Sequence, residues 1–222
     1  MDDRGGAGPG EVWAVVVAAG GGTRFGGAKQ YAPLGGRRVL DWSVAAARAA
    51  ADGVVLVVPP DRAGVAEPAV DVVVGGGATR SASVRAGLAV VPPDAAVVVV
   101  HDAARPVAGA DLFGAVVAAV AAGADAAVPG VPLVDSVRHR DGTAVDREEL
   151  VAVQTPQAFR AEALRRAHAA GADASDDATL VEHDGGRVEV VAGDPANVKV
   201  THAADLDVVA GHLVAPPAGR AR

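Results

Sequence analysis

The stretch that decides the fold is Val12-Trp13-Ala14-Val15-Val16-Val17-Ala18-Ala19-Gly20-Gly21-Gly22-Thr23-Arg24-Phe25-Gly26-Gly27-Ala28-Lys29-Gln30. Residues 12–18 form an uninterrupted apolar run, as in a strand buried on both faces. Residues 20–28 form a glycine-rich loop with Arg24 inside it and Lys29 at its end. Such a loop lets backbone amides come close to phosphate oxygens, and the two cations add charge on the same segment. The spacing fits neither a Walker A motif nor a dinucleotide fingerprint. The plain alternative is a surface turn whose glycines only permit tight geometry.

Outward from this loop, strands and helices alternate. The pattern predicts a helix over 39–51 and a strand over 54–58 stopped by Pro59-Pro60. A short helix over 61–67, a strand over 70–74 and the triplet Gly75-Gly76-Gly77 follow. Next come a helix over 81–90, a strand over 96–100 running into His101-Asp102, a helix over 110–122 and a strand over 125–128. This order specifies an α/β fold: a Rossmann-like domain with a mainly parallel, mixed sheet flanked by helices, joined by right-handed crossovers. Ligands of such sheets sit beyond the carboxyl ends of the strands. That selects residues 20–29, 75–80 and 101–105.

The pattern changes after Pro129. Residues 131–149 alternate valine with polar residues around Asp141-Gly142, which reads as a protruding β-arm with a hairpin turn. An isolated arm cannot bury both faces, so it needs the body or a partner subunit. The chain returns through Gln154-Thr155-Pro156-Gln157. A helix over 160–170, a helix capped by Ser175-Asp176-Asp177, a strand over 188–191 and a helix over 203–213 complete a domain over 12–214. Residues 1–11 and 215–222 read as tails.

Composition narrows the function. Of 20 Lys+Arg, only Lys29 and Lys199 are lysine. Arginine fills the remaining basic positions, so these two either escaped substitution or serve where a compact ammonium is required. The formal charge of −7 argues against a nucleic-acid scaffold. Without cysteine there is no disulfide framework and no thiolate chemistry. No leader peptide or membrane-length apolar run is read, so the cytoplasm is the expected location. There is no HExxH, no GxSxG and no clustered histidine set, which leaves zinc- and serine-hydrolase chemistry without support.

Several polar residues stand out. Asp102 and Arg105, after the fourth predicted strand, suit a sugar hydroxyl or magnesium and a phosphate, or else pair with each other. His101 can equally be a packed, backbone-bonded residue. Ser136 and Arg147 flank the hairpin turn, where Arg147 also has the acidic neighbours of a solvated cluster. Lys199, in Asn197-Val198-Lys199-Val200-Thr201, has mostly small or apolar neighbours, and Thr201 adds a hydroxyl or a helix cap.

These residues carry a resemblance over residues 12–212. The loop over 18–30, Gly75–Gly77 with Arg80 and Ser83, and His101-Asp102-Ala103-Ala104-Arg105-Pro106 stand in an order similar to the 2-C-methyl-D-erythritol 4-phosphate cytidylyltransferases. So do Asp135-Ser136, Val145-Asp146-Arg147, Gln154-Thr155-Pro156-Gln157, Ser175-Asp176-Asp177-Ala178 and the Lys199 segment. The resemblance implies transfer of the cytidylyl group of CTP to methylerythritol phosphate with Mg2+. It implies Arg24, Lys29 and Lys199 as catalytic residues. It implies Ala18, Ala19, Gly20, Gly22, Gly76, Gly77, Ser83 and Asp102 around CTP. Asp102, Arg105, Ser136, Arg147 and Thr201 are implied around the acceptor. No metal ligand is implied with certainty, the ion riding mainly on the CTP phosphates with Asp102 near. A homodimer is implied, the arm reaching into the other subunit's site, with no nucleic-acid or membrane partner.

Departures from the family pattern are the short interval between Arg24 and Lys29, and serine at 136 and 175 where threonine is common. Some relatives carry a cyclising enzyme downstream; the sequence to Arg222 is expected to hold the transferase alone. The nearest alternative is a ribitol 5-phosphate or related polyol-phosphate cytidylyltransferase. Broader alternatives are a sugar-1-phosphate or molybdopterin nucleotidyltransferase, or a non-catalytic nucleotide-binding regulator.

Overall fold

The computed structural model describes residues 10–214. Most of the expected tail over 1–11, and all of that over 215–222, lies outside the described residues. In chain order the elements are β1 (Val12–Val17), β2 (Pro33–Leu34), β3 (Arg37–Arg38), α1 (Val39–Ala50), β4 (Gly53–Val58) and β5 (Val72–Gly75). Then come α2 (Arg80–Leu88), β6 (Val97–Asp102), α3 (Ala110–Ala121), β7 (Ala126–Pro132), β8 (Val137–Arg138), β9 (Ala144–Val145) and β10 (Val151–Val153). β11 (Gln157–Arg160), α4 (Ala161–Ala169), α5 (Asp177–His183), β12 (Val188–Ala192) and α6 (Asp205–Val214) complete the order.

The main sheet runs β10-β7-β11-β6-β1-β4-β5, with β12 also paired to β7. β1, β4, β5 and β6 are parallel, and β12 is parallel to β7. β11 runs antiparallel between β6 and β7. Val12, Ala14 and Val16 of β1 pack with α1 and α3 on one face. Val15 packs with α2, α4 and α5 on the other. This two-sided burial is why the strand sequences are continuously apolar rather than alternating. The core is built largely from valine and alanine, with Phe113 and Phe159 its largest fully buried side chains.

Sequence and structure part in three places. The helix expected over 61–67 is a single 3-10 turn at Pro60–Arg62. Gly64 has φ 74°, a left-handed value that a right-handed helix cannot contain. β7 continues past Pro129 to Pro132, because the ladder uses the Pro129 carbonyl, which accepts from Gln154 N at 2.8 Å, and not the missing N–H. The return segment contributes two strands, β10 and β11, beside the loop expected there.

A smaller cluster of Leu34, Val39, Val200 and Val209 packs α6 against the start of α1. It carries residues 199–201 to the carboxyl edge of β1. No helix among the described residues is long and apolar enough to cross a membrane.

Candidate active site

The loop after β1 is closed by its own backbone. The Gly22 carbonyl accepts from the amides of Phe25, Gly26 and Gly27 at 2.9, 3.0 and 3.3 Å. Gly22 has φ 64°, and a Cβ there would lie 1.8 Å from the Gly27 oxygen. Only glycine fits this position. Among the described residues the amides of residues 20–24 donate to no protein acceptor, which leaves a run of N–H groups at the strand end, the makings of an anion cradle. Gln30, buried beneath, donates to the Gly20 carbonyl at 3.3 Å.

Across the cleft, α2 begins at Arg80, with Thr79 Oγ1 capping it by accepting from Ala82 N at 3.0 Å. Ser83 Oγ donates to the Thr79 carbonyl at 2.9 Å and accepts from Gly77 N at 3.2 Å. A Cβ on Gly76 would stand 2.3 Å from Ala19 Cβ, so the two loops approach as closely as backbone allows. Gly76 therefore packs the loops together, while Gly77 and Ser83 line the cleft.

The cleft holds about 390 Å3, and its charged lining is Arg24, Lys29, Arg80, Asp102 and Lys199. Four cations face a single carboxylate, in a chain whose net charge is −7. Lys29 Nζ donates to the Val200 carbonyl at 2.6 Å. Lys199 Nζ donates to Asp102 Oδ2 at 2.6 Å. The two lysines, remote in sequence, thus line one cleft. Burial, and then the neighbouring charge of Lys199, push the Lys29 ammonium below its ordinary range.

Asp102 is only 8 % exposed. Burial alone would raise its pKa, but Arg80 and Lys199 outweigh it and hold the carboxyl well below the usual range. Arg80 keeps a raised pKa despite burial because Asp102 and Asp177 face it. One Arg80 nitrogen, Nη2, is buried without a partner among the described residues. Asp102 pairs with Arg80 and Lys199 and not with Arg105.

His101 beneath is fully buried. Its Nδ1 lies 3.1 Å from Thr155 Oγ1 and its Nε2 3.3 Å from the Arg105 carbonyl. Thr155 Oγ1 also accepts from Asp102 N at 3.0 Å, so the hydroxyl proton goes to Nδ1 and the ring proton sits on Nε2. Burial lowers the His101 pKa to about 4, which keeps it neutral at neutral pH. The packed, backbone-bonded reading of His101 holds.

Of the residues singled out in the sequence, Ala18, Ala19, Gly20, Gly22, Arg24, Lys29, Gly77, Ser83, Asp102, Lys199 and Thr201 line the cleft. Arg105 lies behind it, where Nη1 donates to the Asn197 carbonyl at 2.7 Å. Asn197 in turn donates to the Thr155 carbonyl at 2.9 Å. These bonds hold the Lys199 segment in place. Ser136 and Arg147 stand apart from the cleft, on an arm whose short strands β8 and β9 pair around Asp141-Gly142. Arg147 Nη1 donates to the Val134 carbonyl and Nε to Glu148 Oε1 at 3.1 Å. Sequence reasoning gave no role to Thr155, took Asp177 only as part of a helix cap, and gave Arg80 no role of its own. The signal for Arg80 was its place three residues after the Gly75–Gly77 triplet, at the start of a helix.

An amide cradle, a lysine pair and one deeply depressed carboxylate at the carboxyl edge of a parallel sheet mark an α/β protein built to hold polyphosphate. Comparison with known sequences is more specific. The profile of the family described as IspD, 2-C-methyl-D-erythritol 4-phosphate cytidylyltransferase, matches residues 12–214, and the chain belongs to that family. It is 44% identical over 211 residues to a 2-C-methyl-D-erythritol 4-phosphate cytidylyltransferase of Nocardia farcinica, covering 89% of this chain and 91% of that protein. It is 45% identical over 208 residues to a bifunctional IspD/IspF enzyme of Dinoroseobacter shibae, covering 88% of this chain and 52% of that enzyme. The chain thus spans about half the length of the bifunctional relatives it matches. The crystal structure of 2-C-methyl-D-erythritol 4-phosphate cytidylyltransferase from Thermus thermophilus superposes with a TM-score of 0.78 at 37% identity, over 92% of this chain and 100% of that one.

Proposed function

We propose that this chain transfers the cytidylyl group of CTP to 2-C-methyl-D-erythritol 4-phosphate, giving 4-(cytidine 5'-diphospho)-2-C-methyl-D-erythritol and pyrophosphate. The observation that carries the reading is the convergence of Lys29 and Lys199 beside the free amides of residues 20–24 in one cleft. Family membership supplies the substrates.

An oxygen of the acceptor's 4-phosphate forms a bond to the α-phosphorus of CTP. The bond from that phosphorus to the bridging oxygen breaks, and its electron pair leaves with pyrophosphate. The nucleophile is already anionic, so no general base is needed. Catalysis then rests on placement and on charge neutralisation. The amides of Gly20 and Gly22, with Ala18 and Ala19 beneath, cradle the triphosphate, and Arg24 neutralises it. Lys29 and Lys199 face the reacting α-phosphate, where charge builds in the transition state. Gly77 and Ser83 take the ribose and base, with Gly76 packing their loop. Thr201 stands toward the acceptor, and Arg105 supports that side from behind the cleft by holding the Lys199 segment.

Mg2+ suits this donor set. Among the described residues no three His, Cys, Asp or Glu side chains converge. A magnesium ion carried by substrate phosphates needs only one or two carboxylates, and Asp102 is the carboxylate in the cleft lining. Bound there with the triphosphate, the ion would add to the neutralisation of the reacting phosphates.

The arm completes the acceptor site in a homodimer acting in the cytoplasm. Val134 at its base is 84 % exposed, and β10 at the sheet edge leaves Val151 and Val153 open. This apolar surface supports a partner subunit, whose cleft would receive Ser136 and Arg147. The test is pyrophosphate release with CTP and magnesium in the presence of methylerythritol phosphate or ribitol 5-phosphate. Release that depends on methylerythritol phosphate is expected; equal or greater turnover with ribitol 5-phosphate would overturn the acceptor assignment.

A further inference from the structure

The cleft carboxylate is the end of a longer chain of charges. Asp102 Oδ2 accepts from Lys199 at 2.6 Å, and Oδ1 accepts from Arg80 Nε at 3.3 Å. Arg80 reaches the other way, its Nη1 donating to Asp177 Oδ2 at 2.7 Å. Asp177 opens α5 and is fully buried. Its second oxygen, Oδ1, accepts from His168 Nε2 at 3.0 Å. His168 sits in the last turn of α4, is 4 % exposed, and its Nδ1 is buried with no partner among the described residues. That pattern puts the ring proton on Nε2, pointing at Asp177. Neither His168 nor Asp177 lines the cleft.

We propose that His168 is a positioning residue for Lys199, an inference that rests on the transferase reading of the cleft. A guanidinium prefers to take both oxygens of one carboxylate. Here it does not: Arg80 takes one oxygen from Asp177 and one from Asp102. His168 already supplies a donor to Asp177 Oδ1, while Arg80 Nη2 is left without a partner among the described residues. Without the imidazole N–H, a fully buried carboxylate oxygen loses its donor, which is costly. The available remedy is for Asp177 to offer both oxygens to Arg80. The free Nη2 swings onto Oδ1 beside Nη1, drawing Nε, already at 3.3 Å, off Asp102, and Lys199 remains as the carboxylate's nearest cation. An Asp102 relieved of Arg80 grips the lysine harder and withholds it from the α-phosphate.

The merely structural alternative is that His168 ties α4 to α5. Three variants separate the two. His168→Leu removes the donor, His168→Gln keeps an N–H within reach of Asp177, and Leu164→Ala opens the same helix's buried face without touching the chain of charges. With CTP and methylerythritol phosphate, His168→Leu is expected to lower kcat about tenfold with KM for the acceptor little changed. His168→Gln is expected to keep kcat within about threefold. Leu164→Ala is expected to lower the unfolding temperature at least as much as His168→Leu while keeping kcat. A crystal structure of His168→Leu should show Arg80 turned onto both oxygens of Asp177 and parted from Asp102.

The inference is overturned by unchanged kcat in His168→Leu, by equal losses in His168→Leu and His168→Gln, or by an equal loss in Leu164→Ala. Arg80 still resting on Asp102 in the His168→Leu crystal also overturns it. Should the unmodified protein release no pyrophosphate with either acceptor, the transferase reading fails, and the position of Arg80 in that crystal still decides the role of His168.

Discussion

The cleft and the arm are built in opposite ways. At the cleft, four of the five charged groups are held by a partner: Lys29 by the Val200 carbonyl, Lys199 by Asp102, Asp102 by Arg80, Arg80 by Asp177. On the arm, the Arg147 side chain reaches, among the described residues, only the Val134 carbonyl and Glu148, and Ser136 is exposed. The contrast fits the proposed reading, in which phosphate activation is preorganised and acceptor binding is finished by a second subunit.

The largest expected effect lies in the preorganised region. Lys29→Ala and Lys199→Ala should each lower kcat by about 10²–10³-fold, the scale of losing one transition-state charge contact. Circular dichroism should show both folded. Arginine at either position keeps the charge but not the compact ammonium, so Lys29→Arg and Lys199→Arg should still lose at least about tenfold. Near-normal turnover in the arginine variants would mean that charge alone suffices.

Asp102→Asn comes next. It leaves Lys199 and Arg80 facing no opposite charge in the cleft, and kcat should fall by about 10–100-fold. The stability effect has a definite sign. The folded carboxyl titrates below the 3.8 of an unperturbed aspartate, so its contribution is full above that pH and is lost as pH falls further. Denaturant unfolding below about pH 4 should therefore be less pH-dependent in Asp102→Asn than in the unmodified chain. Parallel curves would show that Asp102 is not held as described.

On the arm, Arg147→Ala should raise KM for the acceptor by about tenfold while KM for CTP stays nearly constant. An equal rise for both substrates would place Arg147 outside the acceptor site.

The smallest effect belongs to His101. Its pKa falls from 6.5 to about 4 on folding, so the fold favours the neutral ring. That contribution is present above about pH 6.5 and drains away as pH falls toward 4, because the unfolded chain takes up the proton first. Unfolding midpoints should decline across this window and decline less in His101→Gln.

The same contrast marks what could be read from the sequence. β1, β4 and β6 were legible because strands buried on both faces are continuously apolar. The lysine pair was legible because arginine fills every other basic position in the chain. β10 and β11 were not, since Gln154-Thr155-Pro156-Gln157 carries turn residues and the strands beside it are short. Gly64, with φ of 74°, cuts short a helix that residue preference alone favoured. The partners of Asp102 were hidden for a different reason: Arg105 is near in sequence, but Arg80 and Lys199 are near in space. Only the crossing of α2 over the sheet and the packing of α6 bring them together.

The most direct test of a shared site mixes two damaged proteins. Lys29→Ala lacks the phosphate-activating lysine, and Arg147→Ala lacks the arm residue. Unfolded and refolded together in equal amounts, they should form heterodimers in which one of the two sites draws an intact lysine from one chain and an intact arginine from the other. Random pairing then restores roughly a quarter of the unmodified activity at limiting acceptor. Activity no greater than the sum of the two variants refolded separately would contradict the shared site and return the arm to its own chain.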